Sequence, residues 1–592
     1  MNVKKTDRII KNLFTGSLWV MIMAFVTTTI GMFIDGIVIT NFLGSNAMAS
    51  MTLVSAVFMV VLAIGGAYSA GSQSLCTQYT GRGDMEKANQ ILSLTTLLMI
   101  LTAAVLIVIG LVFTSPITAL LGATGTNAHL QPDANGYLRG IAIGIPAIFI
   151  SLTFAPFMQI DNDRKLAIIA VLAMTVVNIA LDLANVFIFH GGMFGMAIAT
   201  TVSYYVSAAI LTSHFFKKRS SYRFNFKNVV WKDSRDIWGN GIASAVGRIC
   251  TTLRTFTMNR LLLFVGGAMA VTAFGVQNTL GQLFMSVSLG VGYATMMVSG
   301  MTIGDEDRTG TRQLLAAATK YAFLLNATVA AICIGAAPFL TALFLSGEKS
   351  AAAPMAIAAL RAFGVAIFLS SFNNVMLYYF QGAGNKKGAL LLYLLNGFLC
   401  SVAVALATFR FMGVNGIWLS FPAGEFLTSL ILILSSRRKS SADAQGFERV
   451  LFLPEDFGAA PEDTREITIT SMEEVVGISE KAQQFCEEKG ASTRNAMIIA
   501  LAVEEMAGNI VDHGFNKDNK KHTIDIRLVA AKNGDFVLRI RDDCKRFDPS
   551  EYLELHHPDD PTAHIGIRMI YKMAKEIKYI NTLKTNNLIL TV

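Results

Sequence analysis

The chain has 592 residues, of which 53% are hydrophobic and only 15% are charged. Soluble domains carry about a quarter charged residues, so this composition excludes a wholly soluble protein and favours one that crosses a lipid bilayer. The net charge of +8 fits basic loops on one side of a membrane, and no nucleic-acid partner is expected. Its six cysteines lie far apart without metal-binding spacing, which predicts free thiols in a reducing compartment.

Twelve apolar stretches follow one another up to residue 434. Six of them centre near residues 23, 60, 101, 147, 176 and 206, and six near residues 253, 286, 330, 367, 395 and 427. About 20 apolar residues in a helix cross a bilayer. The first stretch follows a basic start and is too long for the core of a cleaved signal peptide. The sequence therefore predicts an all-α polytopic membrane protein with 12 transmembrane helices.

Along this membrane part, loops that contain many Lys and Arg residues alternate with loops that contain few. The rich positions are Lys4, Lys5, Arg8 and Lys11, then Arg82 and Lys87, Arg164 and Lys165, a cluster within residues 217–235, Arg308 and Arg312, Lys386 and Lys387, and finally Arg437, Arg438 and Lys439. Cytoplasmic loops are the basic ones in membrane proteins. The alternation predicts an even helix count, both termini in the cytoplasm, and a location in the inner (plasma) membrane.

The two halves of the membrane part repeat one another. Landmarks recur at an offset of about 222 residues: Gly44 and Gly267, Gly81 and Gly304, Asp84 and Asp307, Arg139 and Arg361, Gln159 and Gln381, Lys165 and Lys387. Several independent matches at nearly one offset indicate an internal duplication. Six helices return the chain to its starting side, so the two six-helix repeats are parallel and should enclose a cavity.

After Lys439 the composition becomes polar and then mixed. Residues 440–465 resemble a linker, and residues 466–592 predict a cytoplasmic α/β domain. Its predicted elements are a strand at 467–470, helices at 473–488 and 493–513, strands at 523–529 and 536–542, a helix at 566–575 and two final strands. The predicted division is therefore residues 1–220 and 221–439 for the two lobes, 440–465 for the linker and 466–592 for the last domain.

The membrane part resembles a known transporter family. The run FIDG around Asp35, the run FLG that ends at Gly44, GRGD at residues 81–84, NIALD at residues 178–182 and GMFGMAIAT at residues 192–200 are similar to the multidrug and toxic compound extrusion (MATE) transporters. The likeness covers about residues 10 to 436. It implies a secondary transporter that moves organic solutes between two helical lobes.

Polar residues in the first half are candidates for ion coupling. Asp35 lies deep in an apolar helix, where an ionisable group is rare unless it faces protein or water. Asn178, Asp182 and Asn185 are spaced so that they share one helix face. By resemblance, Asp35, Asn178 and Asp182, with Thr200, match the cation-coupling cluster of the family. A purely structural hydrogen-bond seam is the alternative interpretation.

The second half offers fewer candidates. It has no acidic residue at 238–300 or 353–424, so Glu425 is its one buried acid, with structural and functional roles equally open. The seventh apolar stretch, centred near residue 253, carries Arg248, Arg254 and Arg260 on different faces of its predicted helix. Arg254 is the deepest, and it is expected to pair with Asp35 or Asp182 or to face an anionic part of a substrate.

The last domain resembles histidine-kinase-type ATPases, and most closely the anti-sigma-factor serine kinases, over about residues 467–592. Glu505, Asn509 and His513 form one helical stripe. The resemblance implies a general base at Glu505, Mg²⁺ at Asn509, and an ATP site that also includes His513, Asp542 and Gly566. Cys544 and Arg546 stand where the family usually has glycine, so the phosphate-binding loop departs from the family pattern.

The leading hypothesis is an H⁺- or Na⁺-coupled efflux antiporter with a nucleotide-sensing or protein-regulatory domain. It needs no cofactor for transport, and its expected substrate is an amphipathic, cationic organic molecule reached in a lipid membrane. Two alternatives stay open: a transporter-like sensor whose last domain is an active serine kinase, and a flippase for lipid-linked glycans. The resemblance also implies a protein partner similar to an anti-sigma antagonist.

Overall fold

A computed structural model describes residues 7–217, 220–345, 351–439, 446–454, 456–515, 521–555 and 565–592. The first lobe contains seven helices: α1 Asp7–Val38, α2 Ser45–Gly81, α3 Met85–Val112, α4 Thr114–Leu120, α5 Gln131–Ile160, α6 Arg164–Ala184 and α7 Gly192–Ser213. All but the short α4 are long and apolar enough to cross a membrane. A π turn at Ile39–Leu43 continues α1 up to Gly44.

The second lobe contains α8 Ser234–Gly304, α9 Arg308–Gly335, α10 Ala337–Ala342, α11 Ala353–Gly382, α12 Lys386–Leu394, α13 Cys400–Met412 and α14 Val414–Lys439. Eleven membrane-length helical segments occur within the described ranges, and α8 is one of them. Gly267 interrupts α8 with a φ of 64° and a ψ of −160°, which lie outside the helical region. With α8 divided at Gly267, the twelve predicted crossings are confirmed.

The two lobes pack tightly at the end that carries the C-terminal domain, called here the domain end. A Cβ added to Gly241 of α8 would lie 2.0 Å from the Ala67 carbonyl oxygen of α2, and one on Gly304 would lie 2.1 Å from that of Gln78. Only glycine permits such close backbone contact. Ser74 adds a hydrogen bond of 2.7 Å from its hydroxyl to the Gln381 carbonyl oxygen of the other lobe.

At the opposite end of the bundle, the far end, the lobes have separate cores. One core contains Val38 and Val54 of the first lobe, and another contains Met258 and Phe274 of the second. At the domain end a single core joins residues of both lobes. The two lobes therefore form a cleft that is closed at the domain end.

The C-terminal domain is a sheet with helices on one face. Its strands are β1 Thr464–Ile469, β2 Ile524–Ala530, β3 Phe536–Asp542, β4 Glu576–Thr582 and β5 Thr585–Thr591, and its helices are α15 Met472–Glu488, α16 Thr493–Ala502, α17 Gly508–Gly514, α18 Pro549–Leu555 and α19 Ile565–Met573. All pairings are antiparallel, in the order β1-β2-β3-β5-β4. This confirms the predicted α/β sandwich. The short α18 was not predicted.

The predicted linker packs against the membrane part over much of its length. A 3₁₀ helix covers Gly446–Val450, and Val450 and Leu451 are buried in the core shared by the lobes. Tyr379 donates its hydroxyl to the Leu451 carbonyl oxygen over 2.7 Å. Residues 440–445 and 455 lie outside the described residues. The predicted boundary at residue 220 falls between α7 and α8, and the exact domain limits stay a prediction.

Candidate functional site

A cluster of two carboxylates and one amide lies inside the first lobe. The Asn178 side-chain nitrogen donates to Asp35 Oδ1 and to Asp182 Oδ2, each over 2.8 Å. The Ser203 hydroxyl donates to Asn178 Oδ1 over 3.1 Å and so orients the amide. Asp182 is fully buried, and its Oδ1 has no hydrogen-bond partner among the described residues. The structure thus brings together three of the four predicted coupling residues.

The two carboxyl groups also lie within hydrogen-bond reach of each other. Two carboxylates this close repel strongly when both are ionised, unless a proton or a cation lies between them. The hydroxyls of Tyr137 and Tyr204 lie close enough to interact electrostatically with Asp35. The arrangement can bind one positive charge and release it when the surroundings change.

Thr200 of the predicted cluster and Asn185 of the predicted polar face make their hydrogen bonds elsewhere. The Thr200 hydroxyl donates to the Met196 carbonyl oxygen of its own helix over 3.2 Å. Asn185 begins a π turn at the end of α6, where its side chain bonds the backbones of Gly191 and Gly192. Asn185 therefore stabilises a turn. Of the residues predicted to share one helix face, Asn178 and Asp182 belong to the acid cluster and Asn185 does not.

A second buried acid group lies in the second lobe. Asn373 donates to Glu425 Oε2 over 2.8 Å, and Asn396, its amide nitrogen turned toward the carboxylate, donates to both oxygens. Arg254 lies near enough to Glu425 to interact with its charge, and it donates to the Asn396 carbonyl oxygen over 3.3 Å. The predicted pairing of Arg254 with Asp35 or Asp182 is wrong, because Arg254 faces the interior of its own lobe.

Sequence reasoning missed Asn373 and Asn396 as partners of this acid. A signal was present, since Asn396 lies 218 residues after Asn178, close to the repeat offset. Each lobe therefore holds a carboxylate by an asparagine on an equivalent helix. Both lobes therefore contain an asparagine–carboxylate contact, although the second lobe has fewer buried acidic residues.

The outer face of the C-terminal sheet docks on loops at the domain end. Asp305, whose side chain has no exposed surface, forms an ion pair with Arg539 Nη1 at 2.6 Å and another with Arg541. Arg527 donates to the carbonyl oxygens of Asp305 and Glu306 over 3.0 and 2.9 Å. Three arginines from two neighbouring strands thus surround the loop between α8 and α9.

The same sheet also contacts loops of the first lobe. Arg539 Nη2 reaches the Gly81 carbonyl oxygen at 3.4 Å, and Leu583 donates its backbone N–H to the Ile160 carbonyl oxygen over 2.8 Å. Asn162 donates to Asn581 Oδ1 over 2.6 Å. We call this surface, together with the three arginines and Asp305, the sheet–loop interface. It joins one domain to both lobes at the end where the cleft is closed.

The sheet–loop interface also contains carboxyl groups that repel one another. Burial raises the pKa of Asp525 to about 7; the Thr468 hydroxyl and Arg541 act against that rise, while Asp307 and Glu466 add to it. Burial also raises the pKa of Glu466, and Asp307 adds to this rise. A small pocket of about 40 Å³ lies among these groups and Arg527, Arg539 and Arg541.

We expect docking of the sheet to weaken as the pH rises. Asp525 has a pKa near 7 when docked and an ordinary value of 3.8, so its favourable contribution is complete below about pH 4 and is lost as the pH rises through 7. Hydrogen exchange of β2 and β3 in the full chain, measured from pH 5 to pH 8, should show this loss. In Asp525→Asn the pH dependence should be smaller, and an equal dependence in both proteins would contradict this origin.

The predicted nucleotide-site residues lie around one end of the C-terminal domain. Glu505 lies in a π turn between α16 and α17, and a Cβ added to Gly566 would meet its carboxylate at 2.3 Å. Asp542 is 2% exposed, its Oδ1 accepts Asn586 Nδ2 at 2.8 Å, and burial raises its pKa to about 6. Asn509 lies one turn after Glu505, whereas His513 is exposed.

These residues fit a nucleotide site only in part. Glu505, Asn509 and Asp542 present oxygens suited to Mg²⁺ and to an adenine amino group, as the resemblance implies. The segment expected to contact phosphates includes residues 556–564, which lie outside the described residues. Nearby, the ligating atoms of His522, Asp543 and Cys544 lie within 4.8 Å of one another, and His522 Nδ1 is 3.0 Å from Asp543 Oδ1.

Comparisons with known proteins agree with this two-part organisation. A family model described as MatE matches residues 21–184 and 243–407, which is more than half of the chain. A second model, described as histidine kinase-like ATPase domain, matches residues 470–592. The two matched regions coincide with the helical lobes and with the sheet domain.

Individual relatives share a low sequence identity with this chain, but the aligned regions cover most of their length. The probable multidrug resistance protein YoeA of Bacillus subtilis (strain 168) is 20% identical over 425 residues, which is 70% of this chain and 90% of that protein. The probable multidrug resistance protein NorM of Bradyrhizobium diazoefficiens is 25% identical over 408 residues, or 67% and 86% of the two chains. A structure described as the outward-facing conformation of a multidrug resistance MATE family transporter superposes with a TM-score of 0.69 at 22% identity, over 74% of this chain and 98% of that one.

Proposed function

Because the chain belongs to the MatE family and carries a histidine kinase-like ATPase domain, we propose that it is a cation-coupled antiporter that exports small organic molecules under the control of that domain. The Asp35–Asn178–Asp182 cluster carries this proposal, because a buried pair of carboxylates must bind a positive charge. Cation entry would then drive efflux by alternating access of the cleft. Its relatives named as multidrug resistance proteins support the class of substrate.

The geometry of the acid cluster favours H⁺ over Na⁺ as the coupling ion. Asn178 turns its N–H₂ group, not its oxygen, toward both carboxylates, and its oxygen accepts from Ser203. A sodium ion needs several oxygen ligands, whereas a proton needs only the carboxylates themselves. Under this proposal the domain end is cytoplasmic and the chain lies in the inner membrane, as the basic loops predict.

The direct test is efflux from proteoliposomes that contain the purified full chain. Dye release is followed under an imposed pH gradient, under an imposed Na⁺ gradient, and with neither. Release that depends on the pH gradient alone is the expected result. Equal release under all three conditions would contradict ion coupling.

The substrate of such a transporter must bind in the cleft between the lobes. The aromatic and aliphatic lining supports an amphipathic molecule. The cationic substrate that the sequence suggested would compete with the coupling ion if it bound at Asp35 and Asp182.

We propose that the C-terminal domain regulates transport through the sheet–loop interface. That interface contacts both lobes, and alternating access requires the lobes to move relative to one another at the domain end. Nucleotide binding near Glu505 and Asn509 would change the conformation of the domain and so weaken or strengthen its contacts at the sheet–loop interface. Mg-ATP binding by the full chain, measured by equilibrium dialysis and lost in Asn509→Ala, is the expected result, and equal binding by both proteins would contradict the assignment.

An active serine kinase is the second candidate for the same domain. The approach of Glu505 to Gly566 keeps the proposed base beside the start of α19. Transfer of label from γ-³²P-ATP to a serine of a partner protein, lost in Glu505→Gln while Mg-ATP binding persists, would favour the kinase.

A further inference from the structure

Arg248 is an exposed cation inside the membrane part. It lies 14 residues after the start of α8 and seven residues after Gly241, one of the glycines that closes the domain end. At 1.5 Å per residue, Arg248 is about 10 Å from that closure, at the base of the cleft. Its side chain is exposed, although most ionisable groups at this depth are buried or paired.

The surroundings of Arg248 place it between the lobes and not against lipid. A Cβ on Gly66 of α2, in the first lobe, would lie 3.5 Å from Arg248 Nε. From the second lobe, the hydroxyls of Tyr293, Tyr378 and Tyr393 lie close enough to interact with its charge. These tyrosines come from α8, α11 and α12, so four helices from two lobes surround the guanidinium.

Aromatic rings continue this site toward the first lobe. The rings of Tyr293 and Tyr378 are 5.2 Å apart, and Phe25 of α1 lies 5.1 Å from Tyr293. Gly247 lets Tyr393 approach the helix that carries Arg248, because a Cβ there would meet the ring at 2.1 Å. Aromatic faces and edges bind flat apolar groups well.

Nothing among the described residues neutralises Arg248. Within the described ranges it makes no ion pair, and α2, α11, α12 and residues 238–300 of α8 contain no aspartate or glutamate. On α1, the acidic residue nearest in sequence to Phe25 is Asp35. It is ten residues away and is already bonded to Asn178. A guanidinium without a carboxylate is a strong site for a planar anionic group, which it binds through two parallel hydrogen bonds.

We propose that Arg248, with Tyr293, Tyr378 and Tyr393, binds the anionic group of an amphipathic organic anion, and that this anion is the transported solute. The inference rests on the proposed transport function and specifies its substrate class. The carboxylate or sulfonate of the solute faces Arg248, and its apolar body lies against the rings. Coupling remains with Asp35 and Asp182, so ion and solute occupy different places.

Two xanthene dyes of opposite charge and similar size provide the test. Binding of 6-carboxyfluorescein, an anion, and of rhodamine 123, a cation, is measured by fluorescence anisotropy with the purified full chain in neutral detergent. No ion gradient is used. An ion-coupled transporter of cations would show gradient-dependent efflux but would not prefer the anionic dye in this binding experiment. A protein without ion coupling would show no gradient-dependent efflux but could still bind the anionic dye.

The wild type should bind 6-carboxyfluorescein more tightly than rhodamine 123. Arg248→Gln should weaken anion binding by about ten- to a hundredfold, as expected for the loss of charge-assisted hydrogen bonds, and Arg248→Lys should retain part of it. Arg260→Gln is the matched control, because Arg260 is exposed on the same helix and lies over Phe256. It should bind like the wild type.

Two results would overturn the proposal. One is a preference for rhodamine 123 that Arg248→Gln leaves unchanged. The other is displacement of 6-carboxyfluorescein by added phosphatidylglycerol at the same site, since that would assign the guanidinium to a lipid phosphate. Unchanged thermal unfolding of both Arg248 variants shows that a loss of binding does not come from misfolding.

Discussion

Asp182→Asn is expected to abolish ion-driven efflux while leaving the protein folded. The substitution keeps the size of the side chain and its contact with Asn178 but removes one of the two carboxylates that hold the coupling ion. Because Asp182 is fully buried, no water can replace that charge. We expect a loss of about a hundredfold or more in gradient-driven dye release from proteoliposomes, equal to at least about 2.7 kcal/mol of coupling.

Asp35→Asn should behave in the same way, because both carboxylates bind one amide and each other. Thr200→Ala is the control: among the described residues its hydroxyl bonds only to the Met196 carbonyl oxygen, so transport should change little. Glu425→Gln tests the second lobe and should have the smaller effect, since Glu425 shares its surroundings with Arg254. Normal transport by both Asp variants would remove the first lobe from the coupling mechanism.

Loss of the sheet–loop interface is expected to accelerate transport. Asp305→Ala leaves Arg539 and Arg541 buried without their partner, and breaking such a pair costs about 3–5 kcal/mol. The sheet should then detach from the loops, and the lobes should separate more often at the domain end. Faster dye efflux and faster hydrogen exchange in the last turns of α2 and α8 are the two measurements.

A charge reversal provides the stricter version of this experiment. Asp305→Arg alone should release the domain, and combining it with Arg541→Asp should restore part of the docking. Arg546→Ala is the matched control, because Arg546 lies on the same domain and, within its described part, forms ion pairs only with Asp548 and Glu551. If Asp305→Ala leaves both exchange and transport unchanged, the interface does not restrain the lobes.

Local sequence was sufficient for the helices and for the shared polar face of Asn178 and Asp182. Twelve apolar stretches predicted twelve crossings, and the i, i+4 spacing of Asn178 and Asp182 predicted their shared face. The cost of burying a charge in an apolar helix singled out Asp35, and its grouping with these two residues was implied by the resemblance to the MATE family. Periodicity and burial cost act within one helix, so they can be read without knowledge of the others.

Features that depend on how elements meet could not be predicted. The partner of Arg254 is decided by the rotation of α8 against α14 and against the turn of helix that contains Asn396, which periodicity leaves open. Arg539 and Arg541 alternate along β3 like any solvent-facing residues, and only the docked loop makes them buried. Arg248 was named in the sequence without a role, because its exposure follows from the shape of the cleft.

Because the two lobes are duplicated, the C-terminal domain could in principle dock in two orientations, and Asp305 distinguishes them. The loop GRGD at residues 81–84 and the loop GDED at residues 304–307 occupy equivalent places in the two lobes and share their first and last residues. A single domain therefore has two possible docking sites related by a pseudo-twofold axis. At the second position of the loop, Arg82 in one lobe corresponds to Asp305 in the other. The arginines of the sheet pair with the Asp305 side chain of the second loop, whereas Arg539 contacts the Gly81 backbone of the first. This single reversal of charge breaks the symmetry of the bundle and gives the domain one polarity of attachment.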